Sequence, residues 1–310
     1  MRLQTLQDWS QAAALIAESW KENHEQALDY TPDFIASLAG YPGSLPVIAP
    51  AFFDGDQLAA FVMGFLRNFE VEGLTRKLLL MTLFTVAPRY KGQGLGRRIW
   101  AECLRQACAA GYDGALYYCV EGNISNNVTA AGVQLAGFAA HHTLTIPYLM
   151  RMLRRPVDVP IYSIGLDSKM FLKCAAAVPP LPLRRCWTEA EVTWQLQRPG
   201  AIAVSDGKTG VLCGYALNSA DAQKTSVFFV EDILWLQDAE DGRTKLLALL
   251  LQQASRVSSL AVVPVLGYAA LETFVAAGFR KSPRVLNAYL VNFPIFQCCS
   301  PITAIYADLL

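Results

Sequence analysis

Eight consecutive residues, Arg89-Tyr90-Lys91-Gly92-Gln93-Gly94-Leu95-Gly96, have the types and spacing to hold an anion. Glycines at alternate positions let the backbone turn with its N–H groups pointing inward, and no Cβ blocks the approach of a ligand. A helix that starts where the loop ends aims its dipole and its unpaired amides at the same point, and Arg89, Lys91, Arg97 and Arg98 add positive charge. A diphosphate suits such a loop best. The spacing excludes two other phosphate loops: this one has no Gly-Lys followed by Ser or Thr, and glycines at 92, 94 and 96 do not spell Gly-x-Gly-x-x-Gly.

The flanking residues supply the elements that must position the loop. Leu79-Leu80-Met81-Thr82-Leu83-Phe84-Thr85-Val86 is apolar and partly β-branched and stops at Pro88, as a buried strand does. After the loop, Leu95, Ile99, Cys103, Leu104 and Ala107 recur at helical spacing until Gly111. The unit is strand, glycine loop, helix.

This unit resembles the GNAT acyltransferase superfamily, whose acyl-CoA signature is Arg or Gln, two residues, Gly, one residue, then Gly or Ala. Here that signature is Arg89-Tyr90-Lys91-Gly92-Gln93-Gly94, with Val86-Ala87-Pro88 before it and Leu95-Gly96 after it. The resemblance implies an α/β fold around a mixed sheet. It also implies acetyl-CoA as acyl donor and co-substrate, with no metal, and an amine on a small molecule or peptide as acceptor. By the same resemblance the backbone of Phe84, Thr85 and Val86 pairs with the pantetheine arm. Arg89, Lys91, Gly92, Gln93, Gly94, Leu95, Gly96 and Arg97 surround the diphosphate, and Asn126, or Asn123 if the loop carries an insertion, holds the pantetheine. The region after the first strand helps to form the acceptor pocket, which brings in His24, Asp29 and Tyr30.

Acyl transfer from a thioester to an amine needs the amine neutral, the carbonyl polarised and the leaving thiolate protonated. Two side chains that many members of the superfamily use are missing. A tyrosine four residues before the Gly-Phe that follows the fourth helix is replaced by Val133, and the strand before the loop reads Lys77-Leu78-Leu79-Leu80-Met81 without a carboxylate. Glu121, at the end of the next strand and on the alternating face of Tyr117 and Cys119, is the candidate base. All three line the cleft or all three face the core. Tyr117 or Tyr118 is the candidate proton donor. His141-His142 puts one imidazole on each face of a strand, and Cys298-Cys299 is a vicinal pair with no histidine nearby.

Along the chain, Arg2–Leu6 reads as an edge strand, and Asp8 caps a helix carrying Trp9, Ala13, Ile16 and Trp20 on one face. Thr31-Pro32 opens a second helix closed by Gly40, and a hairpin turns at Asp54-Gly55-Asp56. A strand over 115–120, a helix over 126–137 and a strand over 143–149 follow. Prolines 156, 160, 179, 180 and 182 mark a connector with a short helix at 168–176. From Leu183 the order starts again, with Thr188-Glu189-Ala190-Glu191 spaced as a capping box. Gly137-Phe138 lies eleven residues before Tyr148-Leu149, as Gly278-Phe279 lies before Tyr289-Leu290. The pattern reads as two tandem copies of one fold, 1–153 and 183–310, joined by 154–182.

In the second copy Gln237-Asp238-Ala239-Glu240-Asp241-Gly242 stands where the first has its glycine loop, and three carboxylates there repel a diphosphate. Leu246, Leu247, Leu249, Leu250 and Leu251 make the next helix apolar round much of its circumference, which suits burial between the copies.

Composition narrows the class. Lysine plus arginine and aspartate plus glutamate both number 26, so net charge gives no reason to expect a nucleic-acid or anionic-membrane partner. Hydrophobic residues make up 53%, which implies large cores, yet no apolar run nears the roughly 20 residues of a membrane span. Eight cysteines without a Cys-x-x-Cys pair read as small core residues of a reducing cytoplasm. The expectation is a cytoplasmic monomer or homodimer.

Overall fold

The computed structural model describes residues 1–21, 28–43, 45–123, 125–154, 167–219, 225–294 and 302–309. His24, Cys298-Cys299 and the connector prolines Pro156 and Pro160 lie outside the described residues. The first half runs β1 (Arg2–Thr5), α1 (Trp9–Lys21), β2 (Leu28–Asp29), α2 (Pro32–Ala39), β3 (Pro50–Asp54), β4 (Gln57–Val71) and β5 (Leu74–Val86). A single 3-10 turn (Pro88–Tyr90) leads to α3 (Leu95–Ala109), β6 (Gly114–Val120), α4 (Ser125–Ala136) and β7 (Ala139–Met152). Next come α5 (Ser168–Ala176), β8 (Leu183–Arg185), α6 (Glu189–Gln197), β9 (Ala201–Ser205), β10 (Gly210–Ser219) and β11 (Ser226–Trp235). The described chain closes with α7 (Glu240–Ala254), β12 (Leu260–Pro264), α8 (Glu272–Ala276), β13 (Arg280–Asn292) and β14 (Ile305–Tyr306).

Local chemistry accounts for the boundaries. Thr31 accepts a 3.2 Å hydrogen bond from Phe34 N–H, with Pro32 at the first helical position of α2. At α6 the capping box is complete, Thr188 Oγ accepting from Glu191 N–H and Glu191 accepting from Thr188 N–H. In α3 the residues at helical spacing, Leu95, Ile99, Cys103, Leu104 and Ala107, are buried together with Trp100.

All the described strands belong to one mixed sheet in which the halves are interleaved. Its main path is β1-β3-β4-β5-β6-β13-β7-β12-β11-β10-β2, with β8, β9 and β14 attached off it. β13, the long strand of the second half, lies between β6 and β7 of the first, so that Leu290 faces Leu116 on one side and His141 on the other. β7 in turn lies between β13 and β12. Each half completes its sheet with a strand of the other. Even the two residues of β2 pair with Asn218 and Ser219 at the far edge of the second half.

The leucines of α7 do not join the halves as expected. Leu246, Leu247, Leu250 and Leu251 pack with Val204, Leu212, Phe228 and Phe279, inside the second half's own core. The cause is topological: α7 crosses between the parallel strands β11 and β12, and such a crossover packs on its own sheet.

A buried set of charges joins the halves as well. Asp308 takes Arg67 from β4 at 2.5 Å and Arg185 from β8 at 3.0 Å, and the side chains of all three are fully buried. Nearby, Arg198 pairs with Glu231, and Tyr41 with Glu191. Aromatic faces cover the same three guanidinium groups that the carboxylates pair. Arg67 lies 3.9 Å from the ring centre of Tyr41, Arg185 lies 3.3 Å from that of Trp187, and Arg198 lies 3.9 Å from that of Tyr215.

Candidate functional site

β5 and β6 form a fork. They pair in parallel from Leu78 and Gly114 as far as Met81 and Tyr117, and beyond that point Thr82–Val86 pair only with β4 while β6 pairs with β13. Just past the fork, the register with β4 slips between Phe61, opposite Thr85, and Met63, opposite Thr82. One residue of β4 therefore faces two of β5, a bulge. Leu83 takes up the extra length at φ 55°, a left-handed backbone that costs a leucine about 1–3 kcal/mol. Beyond the bulge, Phe84, Thr85 and Val86 run along the gap with no strand on that side among the described residues.

The glycine loop continues from this edge. Gly92 and Gly94 adopt φ 78° and 76°, and a Cβ on Gly92 would meet nothing within 4 Å. Gly94 caps α3, so the amides of Leu95, Gly96 and Arg97 have no acceptor within the helix. Arg97 folds over the loop, its Nε 3.3 Å from where a Cβ on Gly94 would stand. The outer wall is tied to the β3–β4 turn: Tyr90 Oη donates to Asp54 at 2.5 Å and Arg89 Nη2 to Gln57 at 2.5 Å. Gln93 Nε2 closes the loop on the Arg89 carbonyl at 3.0 Å. Arg89, Lys91, Gln93 and Arg97 are all exposed. The arrangement can hold an anion at the head of α3 and an extended ligand along β5.

Gly96 has a different task. A Cβ there would stand 2.8 Å from Val128 and 3.0 Å from Phe84, so this glycine lets α3 close on α4 and β5. Gly132 does the same for Trp100, whose Cβ lies 2.7 Å from where a side chain would begin.

Four aromatic rings pack in a row along the floor of the fork. Phe84 meets Trp100 edge-on at 5.3 Å, Trp100 meets Tyr117 edge-on at 5.0 Å, and Tyr117 stacks on Tyr289 of β13 at 5.1 Å. Tyr117 and Cys119 are thus buried in the floor of the fork, Tyr117 against Trp100 of α3 and Cys119 against Thr129 of α4. Burial raises the Tyr117 phenol above its ordinary range, so it stays protonated. Glu121 lies past the end of β6 in an exposed turn, apart from them. Asn126, in the first turn of α4, donates to the Val120 carbonyl at 3.3 Å and leaves its own Oδ1 buried without a partner. Asn123 instead accepts from Ser125 N–H at 2.9 Å. His142 contacts Asn287 and Thr145 on the exposed sheet face, and Val133 is buried in α4 beside Gly132.

Several residues here carried no local signal in the sequence. The bulge at Leu83 falls inside an unbroken apolar run, and Trp100 reads as one more residue of a helical face. Its indole Nε1 is buried with no partner.

The second half has its own fork, and the chain itself fills it. β11 and β12 pair from Val227 and Leu260 to Phe229 and Val262 and then part, with a register slip against β10 at Glu231. Tyr268 Oη accepts from Ile233 N–H at 3.0 Å and donates to the Glu231 carbonyl at 3.3 Å, occupying the free backbone edge. Tyr306 packs on Tyr268 at 4.7 Å and donates to Asp232 at 2.8 Å. At the head of α7, Glu240 and Asp241 occupy the first turn.

Among the described residues, no group of three or more metal-ligating side chains is placed to hold an ion, and no helix is long and apolar enough to cross a membrane. The model of the Acetyltransferase (GNAT) family matches residues 7–131. A comparison with curated proteins found no match. Among solved structures, the chain is similar to N-myristoyltransferase of Saccharomyces cerevisiae. A structure with bound myristoyl-CoA and inhibitors aligns at a TM-score of 0.68 and 14% identity, over 94% of this chain and 80% of that one. Another with bound myristoyl-CoA aligns at 0.71 and 13%, over 100% and 85%. The chain thus has the mixed α/β, GNAT-type fold of N-myristoyltransferase, and its residues 7–131, which hold the fork, the bulge and the glycine loop, carry the match to the Acetyltransferase (GNAT) family.

Proposed function

We propose that the chain is an acyl-CoA-dependent N-acyltransferase whose first half, residues 1–153, holds the donor. Residues 154–182 connect it to a degenerate second copy, 183–310. The observation that carries this reading is the free edge of Phe84–Val86 running from a left-handed bulge straight into a glycine loop at a helix head. The diphosphate of CoA sits on the amides of Leu95, Gly96 and Arg97, with Arg89, Lys91, Gly92, Gln93, Gly94 and the Arg97 guanidinium around it. The pantetheine amides pair with Phe84, Thr85 and Val86, and the unpartnered Asn126 Oδ1 accepts from the arm.

The acceptor amine attacks the thioester carbonyl, and the C–S bond breaks as the C–N bond forms. Backbone N–H groups beside the bulge stabilise the oxyanion. Glu121, exposed beyond β6, takes the amine proton through water. Tyr117, at the fork and held protonated by burial, gives its proton to the leaving thiolate. The donor is a short acyl-CoA, acetyl-CoA first, because Phe84, Trp100 and Tyr117 already fill the floor of the fork. A long acyl donor is the second reading, favoured by the myristoyl-CoA bound in the similar structures. The soluble chain works in the cytoplasm as a monomer or homodimer.

Turnover of acyl-CoA donors from two to fourteen carbons, measured against a panel of amines, tests the reading. Release of CoA dependent on an amine and greatest with acetyl-CoA supports it, and binding without turnover makes the chain an acyl-CoA sensor instead. Glu121→Gln and Tyr117→Phe should each lower kcat.

A further inference from the structure

A leucine in a left-handed conformation in the middle of a strand has to be held there. Two hydrogen bonds bear on this bulge. Thr85 Oγ donates to the Leu83 carbonyl at 3.1 Å and accepts from the indole Nε1 of Trp20 at 3.2 Å. Thr85 is 2% exposed, so neither bond competes freely with water. Trp20, near the end of α1, is itself fixed by rings. It meets Tyr30 edge-on at 5.5 Å, Tyr30 meets Phe34 at 5.8 Å, and Phe34 meets Tyr215 at 5.8 Å. Tyr215 belongs to β10, and Tyr30 directly follows β2, the two-residue strand paired with β10. The support of the bulge therefore reaches into the second half.

We propose that Trp20 and Thr85 are positioning residues, a latch that fixes the Leu83 bulge and with it the direction of the Phe84–Val86 amides, and that the second half braces this latch through Tyr30, Phe34 and Tyr215. The inference rests on the acyl-transfer reading for its effect on rate, and on the bulge alone for its effect on structure. Neither residue need touch the glycine loop, so the latch governs the alignment of the thioester and leaves the grip on the diphosphate unchanged. An alignment error of about 1 Å costs acyl transfer on the order of a hundredfold.

The test uses the full chain and three variants. Thr85→Val keeps the shape and removes the hydroxyl, Thr85→Ser restores the hydroxyl, and Trp20→Phe keeps a ring and removes the N–H. Thr85→Val and Trp20→Phe should lower kcat for acetyl-CoA by about 10- to 100-fold, with KM for acetyl-CoA within about threefold, and Thr85→Ser should recover most of the rate. Hydrogen exchange of the 79–90 segment, measured without any substrate, should speed up in Thr85→Val and Trp20→Phe but not in Thr85→Ser. Unchanged exchange in Thr85→Val overturns the latch whatever the rates. If exchange speeds up as stated and the wild-type chain turns over no donor, the latch stands and the acyl-transfer reading falls.

Discussion

The carboxylate of Asp308 accepts a 2.6 Å hydrogen bond from Nε of Arg67, although 241 residues separate the two in sequence. Arg67 belongs to the strand that faces the bulge, and Asp308 follows β14, so the bond spans both halves through a dry core. Burial by itself pushes the Asp308 carboxyl up, but Arg185 and Arg67 outweigh it and hold the group below its ordinary value. A depressed carboxyl contributes stability above its unfolded pKa and loses it as pH falls.

Asp308→Asn should therefore destabilise the chain by about 3–5 kcal/mol at neutral pH, because it removes the buried carboxylate that Arg67 and Arg185 share at hydrogen-bond distance. The deficit should shrink as the pH drops below about 4, where the carboxyl of the unfolded wild-type chain takes up a proton while the folded one still holds its charge. Urea melts of both proteins at pH 7 and pH 3.5 measure this. Equal stability at pH 7 would show that the aromatic faces over Arg67 and Arg185 suffice without Asp308.

The halves should not survive separation. A fragment of residues 1–156 lacks β13, which exposes the inner edges of β6 and β7 together with the apolar surface that Leu290 and Val291 cover. Two unpaired edges and an open core favour aggregation. Light scattering and thermal melts of the fragment check this, and a monomeric, cooperatively melting fragment would show that β6 and β7 can pair with each other directly.

Local signals made much of this legible. The glycine loop, the caps at Thr31 and Thr188, the short helix at 168–176 and the order of strands and helices all follow from residues close in sequence. What lay hidden depends on distant partners. Nothing near Leu83 marks a bulge, since its cause is the register with β4 and the hydroxyl of Thr85. The interleaving of β7 and β13 was equally silent, because an apolar strand reads alike whichever neighbour it takes. Arg67, Arg185 and Asp308 look like surface charges in a sequence, and only the fold brings their opposite signs together. For the same reason the face of Tyr117 and the separation of Glu121 from it had to wait for the structure.

The chain should bind one CoA. Gly94→Asp forces a side chain and a negative charge into a left-handed position under Arg97 and should abolish binding, whereas Asp241→Ala at the head of α7 should change nothing. Tyr268→Ala empties the second fork but supplies no glycine loop, so it too should leave the stoichiometry at one. Calorimetric titration of CoA into each variant decides, and two sites in Tyr268→Ala would show that the plug alone silences the second half.

Val133 stands where the resemblance implies a tyrosine. It is 1% exposed and sits beside Gly132, which already lies against Trp100 with no space for a Cβ. A phenol in place of this buried side chain adds volume to a closed core, and overpacking of this kind costs typically 1–3 kcal/mol. Val133→Tyr should accordingly lower the melting temperature. It should not raise kcat, because Tyr117 at the fork already offers a protonated phenol. A general acid that was truly missing and then restored would instead speed the reaction by about 10²–10⁴-fold. Melting curves and single-turnover rates of the variant separate the outcomes: a gain in rate of that size would mean that Tyr117 does not protonate the thiolate and that α4 can open to admit a donor.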